Sequence, residues 1–169
     1  MRSSMARISL VCSRNHSEDR SPRFVETILL VDDDAALRSV AQLILDHCGY
    51  QVLVAGDGFE ALRIAAEYPG PIHLLVTDLI MPGMDGAELG RQLGSQRLGI
   101  PVLYVTAFAI AQLVDQEIVL KRIVLEPGVP ILVKPFSIEA LEKKVRDVLD
   151  QSYRASPVPP LAPERFDAD

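Results

Sequence analysis

Cysteine is scarce in this chain, with two thiols, Cys12 and Cys48, in 169 residues. They form neither a CxxC pair nor a framework. A disulfide framework and a structural zinc site are therefore excluded, and both thiols read as free in a reducing cytosol. Long apolar runs are also lacking, since no stretch approaches the ~18 residues of a membrane span. The short run 8–12 after Arg2 and Arg7 is interrupted by Ser9 and followed at once by Arg14, so it does not make a secretory core. Val11 stands where a lipoprotein signal would carry a small residue before Cys12. Positive charge is in deficit as well: the formal net charge is -6, which works against binding a phosphate backbone. The expectation is a cytoplasmic protein with no membrane insertion and no direct nucleic-acid contact.

What the chain does contain is core material, 49% hydrophobic residues against 24% charged ones, enough for one domain. Residues 1–24 are expected to be a disordered leader, 25–151 one folded unit, and 152–169 a tail in which Pro157, Pro159, Pro160 and Pro163 oppose a helix. A PxxP ligand is conceivable in that tail, but a plain extended segment is the simpler reading. Nothing in the sequence reads as a separate output domain.

Five short apolar runs punctuate the unit: 27–31 (TILLV), 51–55 (QVLVA), 72–77 (IHLLVT), 101–106 (PVLYVT) and 130–133 (PILV). Their lack of polar alternation suits strands covered on both faces, as in a parallel sheet. Amphipathic segments lie between them. Residues 35–48 place Leu37, Val40, Ala41, Ile44 and Leu45 on one face and stop at Gly49. Segments 59–68 and 87–93 are the next helices. After Ser137, a plausible N-cap with Glu139 in the first turn, Ile138, Leu141, Val145, Val148 and Leu149 form the inner face of the last one. Strands alternating with helices predict a doubly wound (βα)5 fold, a parallel five-stranded sheet between two helical layers. Ligands of such sheets sit beyond the carboxyl ends of the strands.

That edge collects the polar chemistry. Asp32, Asp33 and Asp34 follow the first strand, Asp78 ends the third, Thr106 the fourth and Lys134 the fifth. Taken singly, each has an ordinary reading: the acidic run as a helix cap, Thr106 as a strand-end residue, Lys134 as a snorkelling surface cation. Their convergence is harder to explain that way. Carboxylates crowded together raise one another's pKa unless a cation compensates. Mg²⁺, which takes oxygen ligands and typically one or two carboxylates, is the natural candidate.

The motifs ILLVDDD (28–34), VTDLIMPGMDG (76–86), VLYVTA (102–107) and VKPF (133–136) resemble the receiver domains of two-component response regulators, the CheY-like superfamily, over about residues 25–150. The resemblance implies a flavodoxin-like strand order, 2-1-3-4-5. It also implies Asp78 as phosphoacceptor, and Mg²⁺ held by Asp32, Asp33, Asp78 and the backbone carbonyl of Ile80, with Asp33 the more direct acidic ligand and Asp34 starting the helix. Thr106, Ala107 and Lys134 would surround the phosphoryl group, and Lys134-Pro135 would be a cis peptide. Such a domain is not a free-standing enzyme; it assists its own phosphorylation and dephosphorylation. The implied partners are a histidine kinase or phosphotransfer protein and an unknown downstream protein. The LEPGV lead at 125–129 looks like receivers attached to hybrid histidine kinases.

Two departures accompany the likeness. Ile131 replaces the family's switch aromatic, and the stretch between Thr106 and Lys134 is about half a dozen residues longer than usual, the excess falling around 112–123. The output face would then involve Ile131 and Phe108. Two rival readings are a phosphorylation-independent interaction scaffold, against which the intact acceptor set argues, and a phosphatase of the haloacid dehalogenase type. The latter's DxD is matched superficially by Asp32 and Asp34, without a cap domain to select a substrate.

Overall fold

The computed structural model describes residues 25–97, 99–107 and 128–155. The expected leader, the end of the tail and the long fourth helix around 112–123 lie outside the described residues, as does Phe108. The described chain runs β1 (Thr27–Val31), α1 (Ala35–His47), β2 (Gln51–Ala55), α2 (Gly58–Glu67), β3 (Leu74–Asp78), α3 (Gly86–Gln96), β4 (Val102–Ala107), β5 (Ile131–Lys134) and α4 (Ile138–Ala155). All strand pairs are parallel, in the order β2-β1-β3-β4-β5.

β1 shows why an unalternating strand sequence is needed. Ile28 and Leu30 enter one core with Ala41, Leu45, Val145 and Leu149, while Leu29 and Val31 enter another with Ala61, Ala65, Leu89 and Leu93. Helices α1 and α4 therefore cover one face and α2 and α3 the other, which gives the three-layer sandwich. Each fully buried Leu or Ile contributes roughly 1.5 to 3 kcal/mol of transfer free energy, so these two cores hold the sheet.

Local signals set the helix ends. Asp34 caps α1 by accepting from the amides of Ala36 and Leu37 at 2.9 and 3.1 Å. Asp57 and Asp85 do the same for α2 and α3, accepting from Glu60 and Glu88. Such caps are each worth about 1 kcal/mol. Gly49 follows α1 at φ 82°, the left-handed conformation that suits a helix stop. The C-terminus of α2 is closed from a distance, where the guanidinium of Arg97 donates to the carbonyls of Ala65, Tyr68 and Gly70.

Several expectations need correction. On the shared apolar face of α1, Leu37 and Val40 are 41% and 54% exposed, because that face carries more apolar surface than the sheet and α4 cover. Helix α3 continues three residues past Leu93 to Gln96; Ser95 turns its hydroxyl onto the Gln92 carbonyl, 2.7 Å away, within the helix. Helix α4 reaches Ala155, and an Arg146–Asp150 ion pair braces its later turns. Strands β3, β4 and β5 begin one or two residues later than their apolar runs. Pro130 precedes β5 but still supplies a carbonyl to the Tyr104 amide. No helix among the described residues is long and apolar enough to cross a membrane.

Candidate functional site at the carboxyl edge of the sheet

Asp32 leaves β1 as a buried residue, and three of its groups are held. Its Oδ1 accepts from the Asp34 amide at 2.9 Å, its Oδ2 from Lys134 Nζ at 2.7 Å, and its backbone carbonyl from the Arg38 guanidinium. Asp33 is exposed. One carboxylate oxygen from each of Asp32, Asp33 and Asp78 lies within 4.8 Å of the others. Asp34 turns away to cap α1, and the amide hydrogen bonds of Leu37 and Ala36 hold its carboxyl below the usual range. It is thus unavailable as the second acid of a DxD pair.

Asp78 is positioned by backbone packing. Leu79, fully buried, donates its amide to the Val105 carbonyl at 2.8 Å and accepts from the Gly86 amide at 3.0 Å. The Asp78 carbonyl presses on Gly86 so closely that a Cβ there would stand 2.2 Å from it. The Asp78 side chain is 13% exposed. Its Oδ1 accepts from the Ile80 amide at 3.0 Å and its Oδ2 from Lys134 Nζ at 2.6 Å. Ile80 therefore adjoins the acceptor through its amide, and its carbonyl as a metal ligand remains an implication of the resemblance.

Lys134 bridges two carboxylates that are 102 and 56 residues away in sequence. Burial works to discharge its ammonium, but the hydrogen bonds and charges of Asp32 and Asp78 outweigh it and leave the pKa above the ordinary lysine value. The Lys134-Pro135 bond is cis. Ala107 is exposed and pairs in register with Lys134, while Thr106 beside it is fully buried. Among the described residues, the Thr106 hydroxyl has no hydrogen-bond partner. Such an orphan costs roughly 1 to 3 kcal/mol where it is left unmade, and the hydroxyl is able to donate to a further acceptor.

Two residues escaped the sequence reading. Arg38 was an ordinary helix cation until its contact with Asp32 was seen; its place one turn into the helix after an acidic run was the available signal. Tyr104 is a buried aromatic in register with Ile131, and the two pack with Leu79 and Ala87. An aromatic ring therefore adjoins the position where Ile131 lacks one.

The donor set suits Mg²⁺. Three carboxylates supply hard oxygens, and one cationic side chain among them leaves net negative charge for a divalent ion to compensate. Receivers generally bind Mg²⁺ through such acidic residues.

The response regulator receiver domain family matches residues 28–146. The chain is 37% identical over 131 residues to the alkaline phosphatase synthesis transcriptional regulatory protein PhoP of Bacillus subtilis, covering 77% of this chain and 51% of that protein. It is 32% identical to the sensor kinase CckA of Brucella abortus, covering 74% of this chain and 13% of that one. It thus spans about half the length of the first relative and a small part of the second. Among solved structures, the receiver domain from hybrid histidine kinase CckA superposes with a TM-score of 0.59 at 38% identity, covering 73% of this chain and 98% of that one. A CheY-like receiver domain protein from Methanospirillum hungatei superposes with a TM-score of 0.65 at 26% identity, covering 79% and 100%. Sequence motifs, strand order and the match over most of the folded unit agree: this chain belongs to the response regulator receiver domain family of two-component signalling systems.

Proposed function

We propose that the protein accepts a phosphoryl group on Asp78 from a phosphohistidine of a histidine kinase or phosphotransfer protein, and signals by changing conformation. The observation that carries this reading is Lys134 Nζ at 2.6 Å from Asp78 Oδ2 beside a buried Thr106 hydroxyl with no partner among the described residues. An Asp78 oxygen forms the new O–P bond as the N–P bond to the donor imidazole breaks, and the imidazole nitrogen keeps the electron pair. Lys134 and Thr106 are the groups able to donate to the transferred phosphoryl oxygens. Mg²⁺ bound by Asp32, Asp33, Asp78 and the Ile80 carbonyl would neutralise charge on those oxygens. The phosphoryl group adds about 1.5 to 2 negative charges, and movement of Thr106 and Lys134 toward it biases a pre-existing equilibrium. The proposed output face includes Ile131, packed on Tyr104, and Phe108, which lies outside the described residues.

The donor has a natural approach. Leu37, Val40 and Ile44 of α1, with Pro135, Phe136 and Lys134, line a groove of about 330 Å³. Because Lys134 belongs to both groove and site, we place there the surface of the donor protein. Output through a protein partner, without direct nucleic-acid contact, fits the net charge of -6. On this reading the receiver is the single functional domain of residues 1–169.

Incubation with acetyl phosphate and Mg²⁺ should add one phosphoryl mass to the protein, and Asp78→Asn should abolish the addition. Tandem mass spectrometry that locates the label on another residue would overturn the assignment.

A further inference from the structure

We propose that Arg38 is the positioning residue of the acidic pair: by holding the Asp32 carbonyl it sets where Asp33 presents its carboxylate to a divalent cation. The inference rests on the metal reading of Asp32, Asp33 and Asp78. These two acids are held very differently. Asp32 is fixed through its amide to the Ala55 carbonyl at 3.4 Å and through both carboxylate oxygens to the Asp34 amide and Lys134. Asp33 is exposed, and among the described residues its carboxylate has no hydrogen bond. Its direction therefore depends on the backbone entering it. That backbone is the peptide plane between Asp32 and Asp33, and the oxygen of this plane is the atom to which Arg38 Nη1 donates. Because the peptide is planar, holding its oxygen also fixes the orientation of the Asp33 amide and the exit toward the Asp33 Cα.

Arg38 is itself held in place. Its own amide donates to the Asp34 carbonyl at 2.9 Å in the first turn of α1. The far end of its side chain flanks Gly56 at the exit of β2, where a Cβ would lie 3.8 Å from both Cζ and Nη1. Glu60 accepts the Gly56 amide at 2.7 Å, and its carboxylate lies near the same position. The guanidinium thus spans the exits of two neighbouring strands. A planar fork can do this while aiming one N–H at a carbonyl, whereas a lysine offers a single point donor. A bystander cation would act oppositely, since positive charge this close to three carboxylates repels a divalent ion. Positioning and repulsion therefore predict opposite signs.

Isothermal titration of the full chain with Mg²⁺, without any phosphodonor, tests the proposal on wild type, Arg38→Ala, Arg38→Lys, Asp33→Asn and the Arg38→Ala/Asp33→Asn double variant. Loss of an outer partner of a ligand typically costs 10- to 100-fold in metal affinity. Arg38→Ala should weaken Mg²⁺ binding by about 10-fold, with Arg38→Lys recovering part of the loss and the melting temperature of the metal-free protein little changed. In the Asp33→Asn background the same Arg38→Ala change should have no further effect, because Arg38 acts through Asp33. Wild-type or tighter binding by Arg38→Ala, or an undiminished effect without the Asp33 carboxylate, would overturn the proposal. If Asp33→Asn binds Mg²⁺ like wild type, the metal reading itself falls, and the role of Arg38 with it.

Discussion

Where the strands begin, Glu26 accepts from both Nη1 and Nη2 of Arg146 at 2.8 and 3.0 Å, and Arg146 also reaches Asp150. Where the strands end, Asp32, Asp33 and Asp78 crowd within 4.8 Å, with Lys134 Nζ shared between Asp32 and Asp78. The first edge satisfies its charges locally. Burial opposes the charge of Arg146, but the hydrogen bond and charge of Glu26 outweigh it and raise its pKa. The Tyr153 hydroxyl, partly buried and near the same carboxylate, is pushed up to about 12. At that edge His73 Nδ1 accepts from the Thr27 amide at 2.8 Å, and Arg97 closes α2. The second edge leaves like charges facing one another and, among the described residues, a hydroxyl without a partner. Stability is organised at one end of the sheet, and at the other the protein keeps unbalanced charge where the cation and the phosphoryl group are proposed to bind.

The largest expected effect tests whether backbone shape, more than charge, holds the second edge. Gly86→Ala would place a methyl 2.2 Å from the Asp78 carbonyl oxygen. Backbone atoms cannot rotate aside, so a loss of about 3 kcal/mol is expected, together with reduced labelling of Asp78, measured by urea denaturation and phosphate incorporation. A variant as stable as wild type would show that the loop around Asp78 is soft.

Next in size, Glu26→Gln should lower stability by about 1 to 2 kcal/mol, below the cost of breaking a fully buried pair because Arg146 is partly solvated. Labelling of Asp78 by acetyl phosphate should be unchanged. Chemical denaturation and intact mass measured on the same preparation check both halves, and an equal loss of labelling would erase the contrast between the two edges.

Asp33→Asn should have the opposite sign. Removing one exposed charge from the cluster should stabilise the Mg²⁺-free protein by about 1 kcal/mol, while the thermal shift produced by adding Mg²⁺ disappears. Destabilisation without metal would mean that the acidic pair is structurally satisfied.

The smallest effect concerns pH. Burial lowers the His73 pKa, only partly opposed by the Glu26 charge. The unfolded chain therefore binds this proton more readily than the folded one. The stability linked to neutral His73 is fully present above the ordinary pKa of about 6.5 and is lost as pH falls through the lower folded value. His73→Asn should flatten the decline in stability between pH 7.5 and 5.5 by about 0.5 kcal/mol. Parallel declines in the two proteins would assign the slope to other groups.

Much of this division was readable in advance. β1 was legible because TILLV has no polar alternation, and the structure buries all five residues between two helical layers. Asp34 as a cap was legible because side-chain oxygens bonding to amides two and three residues ahead are a local geometry. The same helix shows where such reading stops: a 3.6-residue period puts Leu37 and Val40 on one apolar face without saying whether anything covers them. The helix expected over 87–93 runs on through Gly94 and Ser95, since a weak helix former is tolerated where Leu89 and Leu93 anchor the helix in the core.

By itself the sequence determined the alternation of strands and helices, the caps, and the polar residues awaiting the strand ends, because periods and caps operate over a few residues. Tertiary structure alone decided that Lys134 bridges partners 102 and 56 residues distant, that Tyr104 packs beside Ile131, and that Arg38 grips the peptide before Asp33. Those contacts depend on which strands become neighbours and in what register, and that is settled by the simultaneous burial of both sheet faces.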